Sequence, residues 1–210
     1  MVSVALANEA GVVGRQSRLA NNAHGELLAV LLETVLRDAG VAAADLSATA
    51  VGLGPGPFTG LRVGIMTAAA MSDVLGIPAY GQCSLDVVGR DVDTSEPFAV
   101  ITDARRRQVY WAVYDETATR VEGPDLAPAA DVAERLRGRL RALVGPGATQ
   151  YADAFDGFQL LPTRWPDAAG LAMTALSRIE AGEAAGSLTP LYLRRPDARE
   201  PGPPKRVTPA

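Results

Sequence analysis

The segment GLGPGPFTGLRVG, residues 52–64, packs five glycines and two prolines into thirteen residues. It runs straight into a helix-forming stretch, GIMTAAAMSDVL. A glycine-rich turn feeding a helix can hold a phosphate, because unpaired amides and the helix dipole converge there. That chemistry has requirements. A P-loop needs G-x-x-x-x-G-K-[ST], and the only lysine of this chain is Lys205. A dinucleotide fingerprint, G-x-G-x-x-G, would put its third glycine at Pro57 or at Thr59. Generic anion binding through the amides of Thr59 and Gly60 stays open. So does a tight structural turn of Gly54, Pro55, Gly56 and Phe58 capped by Thr59.

The helix after the loop offers a further use. Gly60, Gly64 and Ala68 recur every four residues and form a smooth stripe flanked by Val63, Thr67 and Met71. Such a stripe lets another helix approach to backbone contact. The earlier helix carries Leu28, Leu31, Leu32 and Val35 on more than one face. A docking surface built from these two helices outweighs a nucleotide loop. The competing explanation is packing within the domain, which uses small residues in the same way.

Other reactive residues are few. His24 is the single histidine and Cys83 the single cysteine. A two-histidine metal site, a cysteine zinc site and a disulfide therefore cannot be assembled within the chain. Cys83 reads as buried and inert, and its isolation fits a reducing compartment. Arg105, Arg106 and Arg107 fall on a hairpin turn, where they either touch a phosphate or are solvated. Asp103 ends a strand and reads as a hydrogen-bonding residue of that turn. Arg135, Arg137, Arg139 and Arg141 scatter around a helix as a solvated surface.

These residues sit on alternating strands and helices. Val2–Ala7 and Gly11–Arg18 read as a hairpin. A helix follows from His24, capped by Asn21 or Asn22 and ended by Gly40. Next come a strand over 46–53, the glycine loop and a helix over 60–75 stopped by Gly76. A strand over 78–83 leads to a helix beginning at Leu85. Polar residues 91–97 mark a boundary. Beyond it lie strands over 98–102 and 109–114, a helix over 131–140, a strand over 142–144 and a helix over 171–181. Each half has a strand ending in Gly-Pro-Gly, at 54–56 and 145–147, which hints at a duplicated α/β unit. The domains expected are 1–93 and 97–193, with the last helix returning to the first, then a proline-rich flexible tail over 194–210.

The whole chain has 210 residues, 48% of them hydrophobic, and a net charge of −4. That supports a real core and argues against a dedicated nucleic-acid binder. No basic leader or uninterrupted apolar run of about 18 residues is present, so neither a signal peptide nor a membrane span is expected.

GPGPFTGLRVG, TDARRRQVYWAVY and PLYLRRPDA together strongly resemble the bacterial TsaB (YeaZ) family of tRNA threonylcarbamoyladenosine biosynthesis proteins. The family motif reads roughly G-P-G-S-F-T-G-L-R-I-G, from which only Pro57 and Val63 depart. D-A-R-x-x-x-V-Y-W-A is matched from Asp103 to Ala112, P-x-Y-L-R from Pro190 to Arg194, and HGE at 24–26 opens the first helix.

The resemblance implies an actin-like, RNase H-like α/β fold of two related domains. It implies a noncatalytic, cytoplasmic subunit that binds TsaD, the metal-containing paralogue that modifies adenosine 37 of tRNA, with the ATPase TsaE completing the complex. tRNA would be met indirectly, within the complex, with Arg105, Arg106 and Arg107 as the candidate contact to its phosphates. No cofactor of its own is implied, with nucleotide only at the complex interface. The helices His24–Ala39 and Gly60–Leu75 would dock on TsaD, or pair in a homodimer without it. The alternatives are a small-molecule kinase of the actin-like class and a metallopeptidase-like enzyme. Family members also open with an apolar strand just before the segment matching VSVAL. Here Met1 stands at that join, so the first central strand is expected to be missing, with a native start about ten residues upstream or a compensated gap.

Overall fold

Alternating apolar residues make β1 (Val2–Asn8) and β2 (Gly11–Arg18) an antiparallel hairpin, with Val2 opposite Arg18. Gly11 turns the chain at a φ of +119°, a conformation side chains resist. Val2, Val4 and Leu6 point to one face and meet Leu27, Leu28, Leu31, Leu32 and Val35 of α1 (His24–Ala39). The computed structural model describes residues 1–19 and 24–194. The caps expected at Asn21 or Asn22 and the tail beyond Arg194 therefore lie outside the described residues.

After α1, residues Ala43–Asp45 form one tight turn, held by the Asp45 carboxylate accepting from the Ala42 amide at 3.0 Å. That turn delays the expected strand, so β3 spans Thr49–Gly54. It pairs in parallel with β4 (Ala79–Cys83). The crossover between them is α2 (Phe58–Leu75), which lays Ile65 and Ala68 on Val51 and ends at Gly76 in the left-handed conformation. The short helix α3 (Ser84–Arg90) follows.

The second half holds one continuous sheet. The strands are β5 (Phe98–Asp103), β6 (Gln108–Tyr114), β7 (Arg120–Pro128), β8 (Ala142–Val144) and β9 (Gln159–Leu160). Their order is β7-β6-β5-β8-β9, antiparallel up to β5 and parallel beyond it. Three helices accompany them: α4 (Ala129–Leu136), α5 (Pro146–Gln150) and α6 (Ala168–Glu180). Val109, Trp111, Ile101 and Leu143 share a core with Val132 and Leu136 of α4. The other face buries Phe98, Val100, Ala112 and Tyr114 against Leu85 and Val88 of α3.

The halves exchange their last helices. α3 packs on β5 of the second sheet, and α6 returns to β1, β2 and β3. The Ser3 hydroxyl accepts from the Ala168 amide at 3.1 Å, and Gln82 donates to the Leu171 carbonyl at 3.2 Å. Arg194, assigned to the tail by its sequence, is instead anchored, its guanidinium donating to the Gln108 side chain.

The first half is interrupted where the central strand was expected. β1–β2 and β3–β4 are two separate pairs, and a cleft of about 2260 Å³ lies between them.

Candidate functional site

Three sequence motifs far apart in the chain meet at the glycine loop. β3 leaves its sheet through Gly54, whose φ is +97°. A Cβ there would lie 2.9 Å from a Leu61 methyl and 3.4 Å from the Leu191 carbonyl oxygen. The P-x-Y-L-R segment runs alongside, with the Leu191 amide donating to the Leu53 carbonyl at 2.8 Å. Tyr192 sets its ring 5.1 Å from that of Phe58. Arg62 lies 4.1 Å above the Phe58 ring and donates to the Tyr192 hydroxyl at 3.3 Å. Arg194 reaches Gln108 at the end of the D-A-R turn.

Thr59 does not cap the helix. α2 starts at Phe58 with Pro57 in the cap position and no side-chain cap. Its first ladder bond runs from the Leu61 amide to the Pro57 carbonyl at 3.0 Å. The amides of Phe58, Thr59 and Gly60 precede that ladder, as at any helix start.

The arginine turn is unusual in its backbone. Arg105, Arg106 and Arg107 are all left-handed, with φ of 62°, 55° and 57°, a conformation that costs each L-residue about 1–2 kcal/mol. Asp103 holds it, accepting from the Arg105 amide at 2.8 Å and from the Tyr151 hydroxyl at 2.7 Å. Arg107 is paired with Asp153 at 2.9 Å. Arg105 and Arg106 border the cleft beside Pro55 and Thr59.

Part of the small-residue stripe packs on its own sheet, the use weighed against docking in the sequence. A Cβ on Gly64 would meet Val51 of β3 at 3.5 Å, and Ala68 is buried on the same strand. Leu31 and Val35 are buried beneath α1. Leu28, Leu32, Gly60, Val63, Thr67 and Met71 are half-buried and line the cleft. The small residues let α2 lie close to its own sheet. The outer row of α2 is Phe58, Arg62, Met66, Ala70 and Val74, spaced by four. Met66 is 65% exposed, Val74 82% and Phe58 46%, while Val30 on α1 is 57% exposed. The sequence carried a signal for this row, since α2 has apolar residues on every side.

Elsewhere the polar groups are committed to structure. Glu122 of β7 takes ion pairs from Arg135 and Arg139, each at 2.6 Å, so these arginines are not simply solvated. Burial pushes the Cys83 thiol up. Among the described residues no cluster of three or more His, Cys, Asp or Glu side chains is placed to hold a metal, and no helix is long and apolar enough to cross a membrane. His24 opens α1, but its side chain lies outside the described residues.

Residues 5–154 match the family model "TsaD: tRNA N6-adenosine threonylcarbamoyltransferase". The chain is also similar to the Escherichia coli tRNA threonylcarbamoyladenosine biosynthesis protein TsaB, at 29% identity over 79% of this chain and 69% of that protein. The chain belongs to the TsaB/YeaZ family. An uncharacterized protein of Mycobacterium tuberculosis is 43% identical over 90% of this chain and 83% of its own length. YeaZ from Pseudomonas aeruginosa superposes with a TM-score of 0.73 at 25% identity, covering 91% of this chain and 93% of that one. The architecture is accordingly the actin-like, RNase H-like fold of that family.

Proposed function

We propose that this chain is a noncatalytic subunit in the synthesis of N6-threonylcarbamoyladenosine at position 37 of tRNA, binding the catalytic paralogue TsaD. Its similarity to TsaB supports the pathway. The observation that carries the docking role is the outer row of α2, where Phe58, Met66 and Val74 stand exposed, as does Val30 of α1. Large apolar side chains grouped on one helical surface mark an interaction site. Two exposed helices offer the ridges and grooves that a second helix pair would pack against.

The subunit works in the cytoplasm, where TsaD and the ATPase TsaE complete the assembly and tRNA is met through the partner. It brings no metal or cofactor of its own, and nucleotide enters only at the partner interface. A noncatalytic role agrees with the sequence, which offers one histidine and no P-loop lysine. Without TsaD the same helical surface pairs with a second copy.

The test is gel filtration of the chain mixed with TsaD of the same organism. Co-elution is expected, with Met66→Asp weakening it at least tenfold. Separate elution of the unaltered chain would contradict the docking role.

A further inference from the structure

Residues 188–194 are laid against α2 and fixed from several sides. Leu188 packs on the cluster of Val51, Ile65 and Ala68 at the buried face of the helix. Leu191 and Leu193 pack on the core that holds Phe98 and Tyr110. The Leu191 amide is tied to the Leu53 carbonyl at 2.8 Å, and Arg194 is tied to Gln108. Tyr192, between two half-buried leucines, is the exposed member of the run.

Tyr192 spends that exposed side chain on the first turns of α2. Its ring lies 5.1 Å from the Phe58 ring, tilted by 36°. Its hydroxyl accepts from Arg62 Nε at 3.3 Å, while the Arg62 guanidinium lies 4.1 Å from the centre of the Phe58 ring. Arg62 is thus stacked on one aromatic ring and hydrogen-bonded to the phenol of another. An exposed arginine loses side-chain freedom when it is held by a partner. Here much of that freedom is already lost in the free chain, and the planar fork is set in advance.

The rest of the guanidinium has no acceptor. Nε makes its one hydrogen bond, and Arg62 forms no ion pair among the described residues. Arg107, Arg120, Arg135, Arg139 and Arg178 each have a carboxylate within 3.1 Å. Arg62 stands instead among apolar side chains, one helical turn from Phe58 and one from Met66 in the outer row of α2. Its two terminal nitrogens form a fork that matches a carboxylate with two parallel hydrogen bonds. Apolar neighbours that shut out water strengthen such a pair. Tyrosine and arginine beside Phe and Met are the residues that anchor interfaces. A polynucleotide does not suit the row, because it continues through Met66, Ala70 and Val74 without another cation.

We infer that Arg62, positioned by Tyr192, is the specificity-determining contact of the docking row, and that it takes an Asp or Glu carboxylate from the partner. Resting on the TsaD docking proposed above, this adds residues 190–194 to the docking surface. Phe58 and Met66 close around the ion pair, and Tyr192 acts through Arg62.

The test measures binding of the full chain to TsaD of the same organism at about 50 and about 500 mM salt, a range over which exposed charges are progressively screened. Arg62→Gln should weaken binding about tenfold at the lower salt and remove most of the salt dependence. Arg62→Lys keeps the charge without the planar fork and should still lose about fivefold. Tyr192→Phe keeps the ring on Phe58 but frees the guanidinium, and should lose about threefold. The double variant of Arg62→Gln and Tyr192→Phe should bind like Arg62→Gln alone, because the two residues act as one unit. Arg62→Gln that binds like the unaltered chain, or that keeps its full salt dependence, overturns the inference. So does a double variant in which the two losses add. Loss of self-association with TsaD binding intact places the carboxylate on a second copy and overturns it too. Should Arg62→Gln lower the melting temperature, Arg62→Lys decides, and full affinity of that variant overturns the inference. Binding that Met66→Asp weakens and Arg62→Gln does not overturns only the role of Arg62, whereas an unaltered chain that fails to bind TsaD overturns the docking role itself.

Discussion

Gly145 stands so close to Ile101 that a Cβ at its position would lie 2.5 Å from the Ile101 carbonyl oxygen. Its φ of +106° adds a conformation that other residues resist. Gly145→Ala should therefore destabilise the chain by at least ~2 kcal/mol. Gly138 is the comparison. It is also left-handed, at φ +75°, but nothing lies within 4 Å of its Cβ position. Gly138→Ala should cost only about 1 kcal/mol. Urea melts of the two variants measure the difference. Equal losses would mean that β5 does not press on the turn.

Trp111 is buried in the second core, and its indole N–H has no hydrogen-bond partner among the described residues. An unsatisfied buried donor costs about 1–3 kcal/mol. Trp111→Phe removes the donor while giving up some packing, including the approach of Arg135 at 5.0 Å from the ring. The two effects oppose, so a change within about 1 kcal/mol is expected. Trp111→Ala should lose about 3–5 kcal/mol. If the phenylalanine variant fell as far as the alanine one, the indole N–H would be satisfied after all.

The alkaline limb of stability should come from buried phenols. Burial, then the Asp86 charge that accepts its hydrogen bond at 2.8 Å, holds Tyr114 well above its ordinary value of 10.0. The hydrogen bond to Asp103 comes first in raising Tyr151. As pH rises, the unfolded chain sheds these protons before the folded one. The stability tied to the neutral phenols is complete below about pH 10 and is lost above it, by up to ~1.4 kcal/mol per pH unit for each. Urea midpoints at about pH 8 and about pH 11 test this. Tyr114→Phe should lessen the fall, and an unchanged fall would assign it to other groups.

Most of the fold was legible where periodicity was strong. The hairpin, both long helices and the two Gly-Pro-Gly turns are where the residue pattern puts them. β7 was not, because RVEGPDLAP carries Gly123-Pro124 and many polar residues. It is an edge strand, and only an edge tolerates an internal proline. α4 stops at Leu136 rather than Leu140 because Gly138 turns left-handed just beyond it. α5 and β9, of five and two residues, are too short for any periodicity to register. At the site, the small-residue stripe was visible but its direction was not. Spacing identifies a face of a helix without saying whether a sheet or a partner covers it. The contact of Gly64 with Val51 turns that part of the stripe to its own sheet.

That contact makes two variants diverge. Gly64→Leu should unsettle the packing of α2 on β3 and lower the melting temperature, because the added side chain meets Val51. Met66→Asp should leave the melting temperature nearly unchanged, since Met66 is largely exposed. It should instead weaken TsaD binding tenfold or more, about 1.4 kcal/mol or above. Thermal melts beside binding isotherms separate the two. A stable Gly64→Leu chain that no longer bound would return the docking surface to the inner stripe.

The most direct measurement is threonylcarbamoyl transfer to tRNA by TsaD and TsaE, with and without this chain. Formation of N6-threonylcarbamoyladenosine should depend on the chain being present and should fall with Met66→Asp in step with binding. Full activity of TsaD and TsaE without it, or transfer by this chain alone, would contradict the account.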